Sequence, residues 1–355
     1  MLNFTEILFI IIALGLSIMI HHLVIDLTHR KGIFMDSFEK VQKAHILPTP
    51  RIGGLGIFLA SMLMALNTPL GSYIMIASIP AFLAGFLEDY SNRVAPTQRL
   101  AIMLLAPIIA TMIIPESVIN HFAGLEITRY IGIPITILFT TALVNGVNFI
   151  DGQNGLAGSS VTITFLSITV AAILLQDKDL IYITTIAAVS IIGFLRYNYP
   201  KGRIFLGDGG AYFLGFIASI ICIIFAQRHF NEIHSLFIIA LLIYPLWEVF
   251  FSTLRKLLID NISPFRSDKY HLHQLIFRNQ ANRNEYLPTV IILPFQILTS
   301  VLSVIFMNNG LALLLIIIGY VTFYTSFYYI NRKQDILRRA NLINKKNALH
   351  NSNTK

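Results

Sequence analysis

Acidic, amide, histidine and basic side chains recur in five short polar stretches of this chain, at 43–51, 88–99, 148–158, 198–208 and 263–278. In the second, GFLEDYSNR, Glu88 and Asp89 are adjacent at the end of an apolar run. Such a pair suits a divalent cation or a shared proton, since like charges so close raise one pKa unless a cation offsets them. A solvated helix end is the ordinary alternative, weakened because acids at a helix C-terminus oppose the macrodipole. The third, NGVNFIDGQNGLAG, combines the acceptors Asn148, Asp151 and Asn154 with glycines that let backbone approach a ligand. A plain Asn/Gly turn is its competitor. In the fourth, NYPKGRIFLGDGGAYFLG, Lys201 and Arg203 could meet phosphate, Phe205 could stack on a base, and Asp208 sits between glycines at a helix start. A carboxylate there is an N-cap by default and also a hard-cation ligand. The fifth, SPFRSDKYHLHQLIFR, sets His271 and His273 among Arg266, Lys269 and Arg278, a cationic patch for a diphosphate. Two histidines with no cysteine supply do not make a zinc site. No GxxxxGK[ST] phosphate loop is present.

The elements that must position these stretches are membrane spans. Of 355 residues, 55% are hydrophobic and only 12% charged, with mean hydropathy +0.70. A soluble domain carries about 25% charged residues, so the composition predicts an all-α polytopic membrane protein. Runs near the roughly 20 residues a span needs lie at 5–25, 53–68, 72–88, 100–114, 131–147, 156–175, 180–197, 209–226, 235–254, 287–306 and 310–330, about eleven transmembrane helices. Residues 1–330 read as one transmembrane catalytic domain and 331–355 as a basic cytoplasmic tail. The first run lacks a basic n-region and a small-residue cleavage site, so it reads as an uncleaved span. Cys222, in an apolar run, reads as a small packed hydrophobe. His21 and His22 read as satisfied or interfacial residues, and His121, His229 and His234 as solvated ones.

With the N-terminus outside, 23 of the 26 Lys and Arg residues fall on the inner side. That asymmetry predicts a cytoplasmic C-terminus and puts all five polar stretches at the cytoplasmic face. The net charge of +8 sits in loops between spans, so membrane lipids and phosphorylated substrates, not nucleic acid, are the expected partners. Ionisable groups gathered at one bilayer face are expensive unless they act. The arrangement points to an enzyme that joins a water-soluble anionic substrate to a lipid one.

The motifs PTPRIGG, ED, NFIDGQNGLAG, NYP–FLGDGG and HLHQLIFR, in that order over about two-thirds of the chain, resemble the polyprenyl-phosphate N-acetylhexosamine-1-phosphate transferase family, which includes the phospho-MurNAc-pentapeptide translocase. The resemblance implies transfer of HexNAc 1-phosphate from a UDP-sugar to undecaprenyl phosphate, giving undecaprenyl-diphospho-sugar and UMP, in a bacterial inner membrane. It implies Mg2+, with Mn2+ as the substitute, and a homodimer. Residue by residue, Asp208 would bind Mg2+ with Asp89 and Asp151, and Asp89 would deprotonate or position the lipid phosphate beside Glu88. Asn148 and Asp151 would support metal and diphosphate. Asn198 and Phe205 would line the uridine pocket with Asn154. Lys43, Arg203, His273 and Arg278 would bind substrate, and His271 would contact the diphosphate as a catalytic group.

Three positions depart from the family pattern. Glu88 replaces an Asp, Asn154 stands where the pentapeptide translocase has Asp, and Gln274 replaces a histidine. Eleven spans and a basic tail fit the GlcNAc branch, so a small acetamido-sugar donor feeding O-antigen, teichoic acid or another surface glycan is expected. The pentapeptide translocase is the alternative within the family, and a secondary transporter or a glycan-assembly scaffold the alternatives outside it. A transporter would carry its charges at the bilayer midplane, whereas these acids lie at span ends. A scaffold would leave Asp208→Asn silent.

Overall fold

The computed structural model describes residues 2–34, 49–91, 93–263, 268–279 and 284–353, with side chains through 341. Among the described residues, nine helices are long and apolar enough to cross a membrane. They are α1 (Phe4–Lys31), α3 (Pro69–Ser91), α4 (Pro96–Ile113), α5 (Arg129–Ile150), α6 (Leu156–Leu174), α7 (Lys178–Asn198), α8 (Gly207–Arg228), α12 (Leu287–Ile305) and α13 (Gly310–Asn353). Shorter helices complete the order: α2 (Gly53–Ser61), α9 (Leu236–Leu241), α10 (Ile243–Leu258) and α11 (Leu272–Asn279). One two-residue hairpin, β1 (His121–Phe122) with β2 (Leu125–Glu126), turns through Ala123 and Gly124, both at positive φ. That is the geometry a tight hairpin needs.

Two of the eleven expected spans are built differently. The second, α2 with the 3₁₀ turn Met62–Leu66, covers roughly 21 Å at about 1.5 Å per residue, short of the ~30 Å hydrocarbon thickness. The ninth is broken at Leu242. Pro245 has no N–H for the carbonyl of Leu241, and that carbonyl accepts the Thr164 hydroxyl instead, at 3.3 Å. The expected boundary at 330 is no break in the backbone: α13 runs on as one helix to Asn353.

Burial ranks the helices. α8 is apolar all round, and every residue from Gly209 to Phe225 is buried. That pattern marks the centre of a bundle, and α8 packs against α3, α5 and α2. α1 and α13 are largely uncovered along their apolar windows, as lipid-facing helices would be. α1 is well delimited, by an Asn3–Glu6 capping box and by Gly32 in the left-handed region. Successive helices reverse, so the C-terminal ends of α1, α3, α5, α7 and α10 and the N-terminal ends of α2, α4, α6, α8 and α12 gather at one end of the bundle. All the polar stretches that the structure describes lie there.

Candidate active site

The N-terminus of α8 is the foundation. The GDGG sequence lets its backbone press against two neighbours. A Cβ on Gly85 of α3 would lie 2.2 Å from the carbonyl carbon of Asp208, and one on Gly54 of α2 would lie 2.3 Å from the Gly210 backbone. The segment before α8 pairs with the PTPRIGG stretch. Phe205 N–H donates to the carbonyl of Pro50, Gly53 N–H to that of Phe205 and Gly54 N–H to that of Leu206, each at 2.8 Å. Buried His21 of α1 props this stretch, its Nε2 2.9 Å from the carbonyl oxygen of Gly53.

Asp89 of α3 closes the end of α8. Its Oδ1 accepts the N–H of Asp208 at 3.0 Å and its Oδ2 that of Gly209 at 2.9 Å. It is thus a cap supplied by a neighbouring helix, placed where the macrodipole favours an anion. Asp208 is thereby aimed into a ring of polar groups. Arg99 Nη1 of α4 donates to its Oδ2 at 2.8 Å, and Asn148 Nδ2 of α5 to its Oδ1 at 3.2 Å. Arg51 lies 3.5 Å from both Asp208 and Asp89.

Asp151 follows α5 as its C-cap and is half-buried. Its carboxyl is pushed up to about 7, first by desolvation and then by the charges of Asp208 and Asp89, with Arg51 opposing. Three carboxylates in one electrostatic field call for more positive charge than Arg51 and Arg99 bring. Among the described residues no three acidic, histidine or cysteine side chains form a metal cage. The donor set of Asp208, the Asn148 side chain and Asp151 instead suits Mg2+, which takes one or two carboxylates and completes its shell with water and substrate phosphate.

The Asn148–Gly152 turn joins this acidic centre to the histidine stretch. Phe149 lies against His271, ring centroids 5.1 Å apart, and a Cβ on Gly152 would lie 2.4 Å from His273 Nε2. The two imidazoles stack in parallel, centroids 5.8 Å apart. His271 Nδ1 is 2.9 Å from Oε1 of Glu248, a buried acid of α10, and its Nε2 is 3.5 Å from Asp268. His273 is buried, and neither ring nitrogen has a hydrogen-bond partner among the described residues. Burial pushes its pKa down to about 3, with His271 and Arg278 adding to the effect against Glu248, so the ring is neutral at pH 7. His273, expected to bind substrate, thus lies buried with its unpaired ring against Gly152.

Several expected site residues do other work. Glu88 turns away from the acidic centre, its Oε2 accepting the N–H of Val94 at 3.0 Å. Asn198 spends its amide on backbone: its Oδ1 accepts from Gly155 N–H at 2.6 Å, and its Nδ2 donates to Ile204 at 2.8 Å. Asn154 donates to the carbonyl of Pro200 and to Glu285. These two asparagines tie the third and fourth polar stretches together rather than offering groups to solvent. Arg203 is exposed, its guanidinium over the Tyr197 ring, and Phe205 is half-buried beside Arg51. Arg278 is held by Asp335 of α13 at 3.1 Å and by the carbonyl of Lys269 at 2.6 Å. Lys43 lies outside the described residues.

Sequence reasoning missed Arg51, Arg99 and Glu248 as members of the site. Both arginines end polar stretches, at 43–51 and 88–99, but neither carries an assigned role there. Glu248 did carry a signal, since it is a lone acid in the apolar run IYPLWEVFF. The run past residue 330 also proves structural. The guanidinium groups of Arg255, Arg278, Arg332 and Arg339 surround the Tyr270 ring at 5.4–5.9 Å from its centroid. Asp260 and Asp335 pair with Arg332 and Arg278, so α13 braces the histidine stretch.

The chain is similar in sequence to several known proteins. The chain is 26% identical over 281 residues to decaprenyl-phosphate N-acetylglucosaminephosphotransferase of Mycobacterium leprae, covering 68% of this chain and 70% of the relative. It is 27% identical over 255 residues to undecaprenyl-phosphate alpha-N-acetylglucosaminyl 1-phosphate transferase of Thermotoga maritima, covering 72% and 77%. Phospho-N-acetylmuramoyl-pentapeptide-transferase of Streptococcus suis is 26% identical over 202 residues, covering 51% and 60%. The glycosyl transferase family 4 model matches residues 72–226, the segment that contributes Asp89, Arg99, Asn148, Asp151 and Asp208. Over that segment the chain is similar to the glycosyl transferase family 4 proteins, which agrees with the family its motifs resemble.

Proposed function

We propose that this chain transfers an N-acetylhexosamine 1-phosphate from a UDP-sugar to undecaprenyl phosphate at the cytoplasmic face of a bacterial inner membrane. The observation that carries this reading is Asp208, aimed by Asp89 from the end of the central helix into a ring of Arg51, Arg99 and Asn148. In the reaction a lipid-phosphate oxygen attacks the β-phosphorus of the donor. The bond from that phosphorus to the bridging oxygen breaks, and UMP leaves. Phosphoryl transfer of this kind needs positioning and charge neutralisation more than a covalent partner, so direct attack is favoured over an acyl-phosphate on Asp89.

Mg2+ held by Asp208, the side-chain oxygen of Asn148 and Asp151 would neutralise the diphosphate and polarise it. Arg51 and Arg99 add fixed positive charge beside it. Asp89 keeps α8 and Asp208 in register and stands beside the entering lipid phosphate. His271 and neutral His273 stand against the Asn148–Gly152 turn, with His271 the candidate contact to the diphosphate. Phe205 and Arg203 remain the candidates for the uridine half of the donor. The relatives named for N-acetylglucosamine cover more of this chain than the one named for the pentapeptide donor, which favours a small amino sugar. The basic residues, 23 of 26 on the site's side, support its cytoplasmic orientation.

The test is transfer of radiolabelled sugar phosphate from UDP-GlcNAc to undecaprenyl phosphate by the purified protein. Labelled lipid and UMP that appear with Mg2+ and vanish with EDTA or in Asp208→Asn are expected. No product from any of a panel of UDP-amino sugars, with the protein folded, would overturn the reading.

A further inference from the structure

The buried acid Glu248 has a geometry that nothing in the reaction above requires. It sits within an apolar helix, yet both of its oxygens are engaged. Oε1 lies 2.9 Å from Nδ1 of His271, and Oε2 accepts the hydroxyl of Tyr324 at 2.5 Å. Tyr324 is itself buried, on α13. A carboxylate in such a place is costly unless its partners are fixed. Here those partners come from two directions, the histidine stretch and the last helix. The histidine's other nitrogen faces Asp268 at the longer distance of 3.5 Å. Asp268 is in turn drawn away by Arg255, whose Nη2 donates to its Oδ2 at 2.5 Å. The two nitrogens are therefore unequally held: Nδ1 is tightly bonded to a dry acid, and Nε2 only loosely attended.

We infer that Glu248 is a positioning residue that acts through His271. It retains the proton on Nδ1 and fixes the ring plane, so that Nε2 is the nitrogen turned to the donor's diphosphate. Tyr324 holds Glu248, and α13 thereby takes part in setting the histidine. A carboxylate behind an imidazole fixes its tautomer and orientation and favours the cationic ring. The charged and titratable groups around this pair are Asp268, His273, Lys256 beyond Phe149, Arg255, and the phenols Tyr244, Tyr320 and Tyr324. The inference rests on the transferase reading for its kinetic consequence, but not for the state of the histidine.

Glu248→Gln in the full-length protein keeps the shape and removes the charge. With UDP-GlcNAc and undecaprenyl phosphate, kcat should fall about 10–100-fold, the usual cost of removing such a supporting group. KM for the donor should change less. Glu248→Asp should recover part of the rate, and Tyr324→Phe should lose less than Glu248→Gln. The independent readout is ¹⁵N NMR of labelled histidines, with His271 assigned from the signal missing in His271→Asn. A proton held on Nδ1 in the wild type and released in Glu248→Gln is expected, and this signal stands even if the protein transfers no sugar. An unchanged His271 signal in Glu248→Gln would overturn the inference, as would a rate loss that Glu248→Asp does not relieve at all. Should Glu248→Gln not fold, an unchanged His271 signal in Tyr324→Phe would overturn it.

Discussion

At the end of the bundle away from the site, Arg228 lies between Glu116 at 3.0 Å and Asp177 at 3.3 Å, with His229 at 3.1 Å from the same Asp177. At the site end, Asp89, Asp151 and Asp208 share Arg51 and Arg99. Both clusters use carboxylates and arginines at helix ends, but their electrostatics run in opposite directions. Burial works to raise the pKa of Asp177, yet bonds from His229 and the Leu180 N–H, with the charge of Arg228, hold it below the usual carboxylate range. Asp151 is held at about 7 by desolvation and its acidic neighbours. The first cluster is electrostatically satisfied by its own members and serves as a fastening. The second carries surplus negative charge that a cation and a polyphosphate would relieve. Crowding of like charge, rather than the mere presence of charge, marks the end that does chemistry.

Breaking the two clusters should therefore have opposite consequences. The largest effect belongs to Asp208→Asn, which should lower kcat about a thousandfold, equivalent to about 4 kcal/mol of transition-state stabilisation. Because it relieves repulsion, it should leave the thermal midpoint of the metal-free protein unchanged or higher. Radiolabel transfer and a melting curve on the same preparation check both halves. Next comes Gly85→Ala. Its methyl would meet the Asp208 backbone at 2.2 Å, so overpacking should cost about 1–3 kcal/mol of stability. Activity should fall with it, since the N-terminus of α8 can no longer seat.

Arg228→Gln should cost about 1–2 kcal/mol, because it strands the nearly buried Asp177 without its main cation. Residual transfer activity per folded molecule should stay at the wild-type level; a loss comparable to that of Asp208→Asn would erase the distinction between the two ends. The smallest effect is a pH difference. The folded pKa of Asp151 is raised above its unfolded value of 3.8, so its contribution to stability falls as pH rises from about 4 to 7. In EDTA, Asp151→Asn should therefore gain on the wild type by about 1 kcal/mol between pH 5 and pH 8, the full shift being discounted because the residue is only half-buried. Mg2+ should narrow that gain. Asp177, held low, has the opposite sign: its contribution is present above about pH 4 and lost only as pH falls through its folded value.

Much of this was legible before any folding. Each expected span is helical, because a run of apolar residues in lipid must satisfy its own backbone. Asp208 was readable as an N-terminal acid from GDGG, and the third and fifth polar stretches as its companions. Where the reading went astray, the cause was a contact between distant residues. Asn154 and Asn198 look like ligand groups by type, yet the Asn154 Nδ2 donates to the Pro200 carbonyl and to Glu285, and the Asn198 amide bonds the backbone of Gly155 and Ile204. Glu88 and Asp89 are neighbours with the same chemistry, and one helix step separates the residue that caps α8 from the one that caps a loop. The ninth span, read as whole at 235–254, breaks because Pro245 frees the Leu241 carbonyl and the donor it finds is the distant Thr164.

The sequence by itself determined the membrane class, the helical spans, the face on which the polar stretches gather and the likeness to glycosyl transferase family 4, since these depend on hydropathy, charge asymmetry and local motifs, which are properties of short windows. Only the tertiary structure decided which acid caps α8, that Arg51 and Arg99 balance Asp208, and that Glu248 and α13 stand behind His271. Those choices join residues as far apart as 119, 109 and 76 positions. They are made by helix packing, where the absence of a Cβ at Gly54 and Gly85 lets backbones approach, and no local pattern encodes which backbone arrives.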